Sequence, residues 1–165
     1  MPQPSLKPVL SDKEIKETAA LAAVIWKEHF TPLIGSSQVD YMLEKFQSEK
    51  AIRQQIENGY LYFALMLGEK QIGYTGLRLD ADCLFLSKLY IQKEYRGNGF
   101  SRLIITEAEK IAKQNGKPII RLTCNRHNDG SLTVYKKVGF QIIREEKTDI
   151  GSGFVMDDYI FEKKV

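Results

Sequence analysis

The stretch Tyr95–Arg102, which reads YRGNGFSR, stands between an apolar segment of strand length and a long amphipathic segment. Two glycines separated by one residue, Gly97 and Gly99, occupy its middle. Glycine loses more backbone entropy on folding than other residues, so this pair indicates a tight bend or the close approach of a ligand. The plainer interpretation is a surface turn that precedes a helix, because a lone Gly-x-Gly is weak evidence.

The residues that follow this stretch predict a helix and then a strand. Apolar residues recur at helical spacing from Leu103 to Ala112, and Asn115-Gly116 is typical of a helix end. The run Pro118–Cys124 (PIIRLTC) predicts a strand. Strand, glycine turn, helix and strand together form a βαβ unit, so the two strands are predicted to be parallel.

The other predicted strands have short connections. Three of them precede the glycine turn, at Tyr60–Met66, Gln71–Leu79 and Cys83–Ile91, and form an antiparallel meander. Two more, near Phe140–Lys147 and Phe154–Glu162, follow a short helix at about Asp129–Val138. We therefore expect an α/β fold with a mixed, mostly antiparallel sheet and a central βαβ unit.

Helices are predicted before the first of these strands. Ser11 and Glu14 form a capping box, and the helix behind them is expected to end before Pro32. A second helix is expected from Ser37 to about Ser48, and a short third one at Glu49–Asn58. Because no repeat, linker or low-complexity tract interrupts the chain, residues 1–165 are expected to form one domain.

The charge and the apolar pattern limit the classes of partner. The chain has 24 basic and 21 acidic residues, and this near balance does not favour a nucleic-acid partner, although it is compatible with an anionic small ligand. The first ten residues lack the apolar core of a signal peptide, and no apolar run reaches the length of a membrane span. We expect no membrane partner and a cytoplasmic location, and a homodimer is compatible with the sequence.

The cysteines and histidines predict neither a disulfide framework nor a metal site. Cys83 and Cys124 lie far apart in apolar surroundings, so we expect buried, reduced thiols. His29 and His127 are the only histidines in the chain, which disfavours a zinc site.

A glycine turn that opens a helix after a strand is suited to an anion, because backbone amides and the helix dipole both point there. The dinucleotide fingerprint requires a third glycine where Arg102 stands, and an acid about 20 residues further on, where the chain has Arg121-Leu122-Thr123. The Gly-Lys-Ser/Thr of the ATP-binding loop is absent. Both nucleotide interpretations are therefore disfavoured.

A second block, NDGSLTVYKKVGF at Asn128–Phe140, favours another cofactor. Together with Leu89-Tyr90-Ile91 and YRGNGFSR, this block resembles the GNAT superfamily of acetyl-CoA-dependent N-acetyltransferases. The family pattern Arg/Gln-x-x-Gly-x-Gly/Ala lies between the fourth strand and its helix. Arg96, Gly99 and Ser101 occupy its places here, and Ser101 departs from the usual Gly or Ala. An Asn, a Tyr seven residues later and a Gly-Phe pair also recur, matched by Asn128, Tyr135, Gly139 and Phe140.

The resemblance implies acetyl-CoA as cosubstrate and a place for it between splayed parallel strands. The amides of the glycine turn are expected to hold the CoA pyrophosphate; they belong to Arg96, Gly97, Asn98, Gly99, Phe100 and Ser101. The backbone of Leu89, Tyr90 and Ile91 is expected to pair with the pantetheine arm as an added strand would. Asn128 is expected to reach the cofactor as well.

The chemistry implied by the resemblance is direct attack of a primary amine on the thioester in a ternary complex. The Leu89 amide is expected to stabilise the thioester oxyanion, and Tyr135 to protonate the departing thiolate. A packed tyrosine with its hydroxyl bonded to backbone is the plainer interpretation of Tyr135. Some relatives carry a general-base Glu on the fourth strand, where this chain has Phe85, Leu86, Ser87 and Lys88. The remaining candidates for a base are Glu28, His29, Asp157 and Asp158.

The acceptor is left open between a small molecule and a peptide. The segment Trp26–Asn58 is expected to shape its pocket, and this segment and the chain end look similar to small bacterial GNATs, including polyamine acetyltransferases. A polyamine requires several acids near the thioester, for which Asp40, Glu44, Asp157 and Asp158 are available. A non-catalytic acyl-CoA sensor is the alternative function, and an RNA-binding domain is disfavoured because no basic run is present.

Overall fold

The computed structural model describes residues 2–165, and their centre is one seven-stranded sheet. The strands are β1 (Pro4–Pro8), β2 (Leu61–Leu67), β3 (Lys70–Leu79), β4 (Leu84–Ile91), β5 (Ile119–Asn125), β6 (Gln141–Gly151) and β7 (Phe154–Lys164). The α-helices are α1 (Asp12–Ile34), α2 (Ser36–Met42), α3 (Glu49–Glu57), α4 (Phe100–Gln114) and α5 (Asp129–Lys137). A π-helical turn, Leu43–Gln47, follows α2, and a 3₁₀ turn, Lys93–Tyr95, precedes the glycine turn.

The strand order is β1-β2-β3-β4-β5-β7-β6, and only the β4–β5 pair is parallel. The expected α/β fold, with its antiparallel meander and central βαβ unit, is therefore confirmed. Helix α4 packs on one face of the sheet, where Ile104 and Ala108 contact strand residues such as Leu122. The first three helices cover the other face.

The parallel strands separate soon after they begin. They are paired only at Leu84 with Ile120 and at Phe85 with Arg121. Beyond this point β4 carries one extra residue, Ser87, relative to its other neighbour β3. Such a bulge bends a strand and increases its twist. The predicted splay is therefore confirmed, and it opens a cleft between the carboxyl-terminal halves of β4 and β5.

Strand β1 was not expected from the sequence. Proline begins and ends it, at Pro4 and Pro8, and proline cannot donate a hydrogen bond to a neighbouring strand. An edge strand tolerates this residue because one side of its backbone has no partner strand, and β1 pairs only with β2. The two prolines argued against a strand in the sequence, but the sheet accommodates them because β1 lies at its edge.

The end of α1 was predicted wrongly. The helix continues through Pro32 to Ile34, because Leu33 and Ile34 pack against the apolar cluster that contains Trp26. Gly35, with a φ of 88°, then ends it.

The second helix was also predicted wrongly, because it is not continuous. Helix α2 gives way at Leu43 to the π-helical turn. The turn directs the Phe46 carbonyl toward the buried Lys88 ammonium, 2.6 Å away, and the Gln47 side chain toward the Tyr74 hydroxyl, 2.8 Å away. These tertiary hydrogen bonds, which join residues far apart in the sequence, accompany the change of helical period.

Replacement of Gly73 by alanine should be costly, because there is no room for a side chain. A Cβ there would lie 2.5 Å from the Tyr90 carbonyl oxygen, where β3 meets β4. We expect Gly73→Ala to lower the free energy of unfolding by roughly 1–3 kcal/mol, as overpacking does. The measurement is chemical denaturation monitored by circular dichroism.

Gly130→Ala is the matched control, because a Cβ at Gly130 meets no atom within 4 Å. We expect it to be neutral or slightly stabilising, since alanine is the better helix former. Equal destabilisation of the two variants would contradict the close approach of β3 to β4.

Candidate active site

The glycine turn is built to present backbone amides at the start of α4. Gly97 and Gly99 have φ angles of 80° and 79°, in the left-handed region that glycine adopts without strain. Gly99 is the N-cap of α4 and supplies no capping side chain. The first amides of the helix therefore remain available, and with the helix dipole they form a site for an anion.

A cavity extends from this turn along β4. The turn contributes Arg96, Gly97, Gly99, Phe100 and Ser101 to its wall, and the end of β4 contributes Leu89, Tyr90 and Ile91. Asn128 and Tyr135 line the same cavity. The structure thus brings together all the predicted cofactor residues except Asn98, whose side chain instead donates to the carbonyls of Tyr95, at 3.0 Å, and Arg96, at 3.3 Å. Asn98 closes the turn.

A second cavity adjoins the first through the splayed strands. Its walls come from α1, α2, the π-helical turn and the facing strands, and many of them are aromatic or methionine; they include Trp26, Phe30, Met42, Phe46, Tyr60, Tyr90 and Met156. The two cavities share the residues at their junction, namely Phe30, Leu89, Tyr90, Asn128, Ser131 and Tyr135. A molecule in one cavity therefore meets a molecule in the other beside Leu89 and Tyr135.

Tyr135 has the surroundings of a proton donor. Its side chain is 8% exposed and packs against the rings of Phe140 and Phe161. Within residues 2–165 its hydroxyl makes no hydrogen bond, and only the Trp26 indole nitrogen is a fully enclosed polar side-chain atom without a partner. The hydroxyl is thus open to the cavities and is not bonded to backbone. Burial raises the pKa of Tyr135 well above its usual value, so the phenol keeps its proton.

His29 links two of the predicted cofactor residues. Its Nε2 lies 2.9 Å from Asn128 Oδ1, and its Nδ1 lies 3.3 Å from Arg96 Nη1. A guanidinium can only donate, so Nδ1 accepts and Nε2–H donates to Asn128. Both ring nitrogens have partners, which argues against His29 as the general base. The Asn128 Nδ2 group has no partner within residues 2–165 and stays available to the cofactor cavity.

Arg96 is held in place from the other side as well. Its Nε donates to the Ile91 carbonyl at 2.9 Å, so the guanidinium joins the end of β4 to the glycine turn. The side chain therefore fixes the turn. The Arg96 backbone amide is engaged as well, since it donates to the Lys93 carbonyl at 3.2 Å, so the expected amide contact of Arg96 with the pyrophosphate is not supported.

Lys88 is a buried ammonium in the wall of the second cavity. It is 4% exposed and donates to the Phe46 carbonyl at 2.6 Å, to Gln55 Oε1 at 2.6 Å and to the Tyr62 hydroxyl. No carboxylate in residues 2–165 forms a salt bridge with it, and burial lowers the pKa of Lys88 to about 7. This burial was not predictable from the residues around Lys88, because the three acceptors are distant in the chain.

The acidic residues that were candidates for a general base or a polyamine site do not lie together. Asp157 pairs with Arg126 at 2.8 Å, and Glu28 lies 3.9 Å from Lys93 Nζ. Asp40 and Glu44 are exposed and do not line the second cavity. Asp158 alone of the candidates lines it, so the structure does not bring the four acids together as a polyamine site.

Comparison with known proteins identifies the family. The Acetyltransferase (GNAT) domain family matches residues 30–157, which include the glycine turn, both catalytic candidates and most of the two cavity walls. The chain belongs to the GNAT acetyltransferase family. This membership confirms the family resemblance, the acetyltransferase activity and acetyl-CoA as the acetyl donor.

Two relatives and two solved structures illustrate the breadth of the match. Spermidine N(1)-acetyltransferase of Thermoplasma acidophilum is 28% identical over 90% of this chain and 92% of that protein. A peptidyl-lysine N-acetyltransferase of Escherichia coli is 25% identical over 70% of this chain and 74% of that protein.

The structure of the PaiA N-acetyltransferase of T. acidophilum with coenzyme A has a TM-score of 0.81 and 24% identity, covering 99% of each chain. A GCN5-related N-acetyltransferase from Rhodopseudomonas palustris has a TM-score of 0.84 and 19% identity, covering 100% of this chain and 98% of that one. These likenesses show the fold.

Within residues 2–165, no helix is both long and apolar enough to cross a bilayer. The same residues contain no group of three or more His, Cys, Asp or Glu side chains placed to hold a metal ion.

Replacement of Gly99 should weaken cofactor binding through the turn. Valine at a φ of 79° strains the backbone and places a branched side chain among the amides at the start of α4. We expect Gly99→Val to raise the Kd for acetyl-CoA by roughly tenfold or more, which corresponds to about 1.4 kcal/mol, measured by isothermal titration calorimetry.

Gly116→Val is the control, because Gly116 follows the other end of α4 with a φ of 68° and has no atom within 4 Å of a built Cβ. Both variants should lose similar stability. Equal acetyl-CoA affinity in the two variants would contradict the placement of the cofactor at the glycine turn.

Burial of Lys88 should appear in the pH dependence of stability. Its pKa is about 7 in the folded chain and about 10.4 in an unfolded one, so the unfolded chain binds more protons between these values. The contribution of Lys88 to the free energy of unfolding therefore rises with pH across this window. From about pH 7 to about pH 10, we expect wild type to gain at least about 1 kcal/mol relative to Lys88→Met, measured by urea denaturation. Parallel pH profiles would show that Lys88 is not a buried cation.

Proposed function

We propose that this protein transfers the acetyl group of acetyl-CoA to a primary amine by direct attack in a ternary complex. The observation that supports this proposal is the meeting of two cavities at Leu89 and Tyr135. One cavity begins at a helix start suited to a pyrophosphate, and the wall of the other combines aromatic and methionine side chains with polar ones. Both substrates can then bind together, and no covalent enzyme intermediate is required.

The cofactor is proposed to occupy the first cavity in an extended form. The amides of residues 97–101 hold the pyrophosphate, and the backbone of Leu89, Tyr90 and Ile91 pairs with the pantetheine arm. The splay makes this pairing feasible, because β5 no longer occupies that edge of β4 beyond Phe85. Asn128 donates from Nδ2, since its Oδ1 accepts from His29. The small Ser101 side chain leaves its amide accessible.

The chemical step then uses two groups at the junction. The acceptor nitrogen attacks the thioester carbonyl, and the Leu89 amide stabilises the oxyanion. The carbon–nitrogen bond forms, the carbon–sulfur bond breaks and the thiolate leaves. Tyr135 gives this thiolate a proton, which its raised pKa makes available at neutral pH as a neutral phenol.

The acceptor is proposed to be a small primary amine that enters the second cavity. Its aromatic and methionine walls accommodate an alkyl or aryl chain, while Asp158 offers one negative charge. Spermidine is the first acceptor to test, because a relative that matches 90% of this chain is a spermidine N(1)-acetyltransferase. Asp158 and Lys88 are the only charged residues in the described wall, which also favours a test of amines with one positive charge.

Replacement of Tyr135 separates an enzyme from an acyl-CoA sensor. We expect Tyr135→Phe to lower kcat by roughly 10²-fold or more, because loss of a general acid has effects of this size. The Kd for acetyl-CoA should change little, since the ring remains. The measurements are release of the CoA thiol during turnover with an amine, and calorimetry for the affinity.

Tyr159→Phe is the control, because Tyr159 is on β7 and does not line either cavity. Full activity in Tyr135→Phe would remove the proposed proton donor. A wild-type protein that binds acetyl-CoA but turns over no amine would instead support the sensor function.

A further inference from the structure

Asp158 is a buried carboxylate without a partner in the wall of the acceptor cavity. Its side chain is 7% exposed, and it makes no hydrogen bond or salt bridge with any residue in 2–165. Its oxygens are not fully enclosed, since the Trp26 indole nitrogen alone meets that description among the unpartnered polar atoms of residues 2–165. They are therefore open to the cavity. A buried charge is costly unless it is paired, which indicates that a ligand supplies the missing cation.

The register of the sheet explains why Asp158 has no cationic partner of its own. It lies opposite Asn125 on β5 and Glu146 on β6, so these three side chains belong to one face of the sheet. Its neighbour Asp157 points to the other face, where Arg126 binds it at 2.8 Å. Arg126 therefore lies on the opposite face of the sheet from Asp158 and does not neutralise its charge.

The other candidate bases are engaged or remote. Both nitrogens of His29 have partners, and Glu28 is outside both described cavity walls and lies near Lys93. Among residues 2–165, no other carboxylate lines the two cavities, and Tyr135, the proposed proton donor, lines the same cavity as Asp158. An amine bound at the junction of the two cavities therefore has one carboxylate in the surrounding walls, that of Asp158.

We propose that Asp158 binds the ammonium group of the acceptor and takes its proton as the amine attacks. This inference rests on the proposed function and assigns the base that the function lacks. Asp158 removes one proton from the ammonium, and the free amine forms the carbon–nitrogen bond as the carbon–sulfur bond breaks. Tyr135 gives a proton to the thiolate. The nitrogen of the new amide then gives its surplus proton back to Tyr135, which becomes a neutral phenol again. Asp158 then releases its proton to solvent.

The surroundings of Asp158 suit this cycle. The ionisable groups around it are Tyr90 on β4, Cys124 on β5, Glu146 on β6 and Asp157 on β7, with Lys88 elsewhere in the same cavity wall. Burial, and then the charges of Asp157 and Glu146, raise the pKa of Asp158 to about 6. The carboxylate is the main form above this pH. Its ability to bind and deprotonate a cation is lost as the pH falls through about 6.

The test compares Asp158→Asn with Asp157→Asn and wild type. Initial rates of CoA thiol release are measured from about pH 5 to about pH 9, with spermidine and with 2-phenylethylamine as acceptors, and acetyl-CoA affinity is measured by calorimetry. We expect Asp158→Asn to lose roughly 10²-fold or more in kcat/KM for the amine while its acetyl-CoA Kd stays within about threefold. In wild type, kcat/KM should decline as the pH falls below about 6, because Asp158 becomes protonated. In Asp158→Asn this decline should be absent.

Asp157→Asn is the matched control, because it removes the same group from the next residue on the opposite face. It should retain activity within about threefold. The decline of kcat/KM at low pH should persist and begin at a slightly lower pH, because the charge of Asp157 helps to raise the pKa of Asp158. An active wild type with an equally active Asp158→Asn variant would overturn this inference and leave the proposed function intact. A wild type that acetylates neither amine, nor any other in an amine screen, would overturn the proposed function and this inference with it.

Discussion

The separation of β4 from β5 is the constraint on which the rest of the molecule depends. Two parallel strands that stayed paired would use the backbone groups that a pantetheine arm needs, and they would close the passage between the cavities. Here the pairing stops at Phe85 and Arg121, and Ser87 enters β4 as an extra residue. The splay thus places Leu89 where two cavities meet, and α4 and α5 supply the groups at either end.

Local sequence was sufficient to predict the central part of this arrangement. The glycine turn, the helix behind it and the next strand carry their own signals, because turns, caps and apolar periodicity are properties of neighbouring residues. Asn128 and Tyr135 were identified in a different way, through the family resemblance. Asn128 is the N-cap of α5, and Tyr135 lies on the buried face of the same helix. For these residues, family resemblance and structure agree on location, while their roles remain proposals.

The features that the sequence did not predict depend on distant residues. Lys88 reads as an ordinary strand residue, and only the π-helical turn, α3 and β2 together bury its ammonium. In the sequence, Asp157 and Asp158 are equivalent neighbours. The register of three strands places Asp157 beside Arg126 and leaves Asp158 facing the cavity. Pro8 and Pro32 were misleading for a related reason, since an edge position and an apolar cluster overrode their local preferences.

In the proposed binding mode, acetyl-CoA lies along the open edge of β4 with its pyrophosphate at the start of α4. The decisive experiment is an NMR titration of the ¹⁵N-labelled protein with acetyl-CoA, followed through the backbone amide signals. We expect the signals of residues 89–91 and 97–101 to shift and to become protected from hydrogen exchange, while those of the exposed edge strand β6 do not. A titration that leaves those segments unchanged, or that perturbs them equally with NADH, would rule out this binding mode.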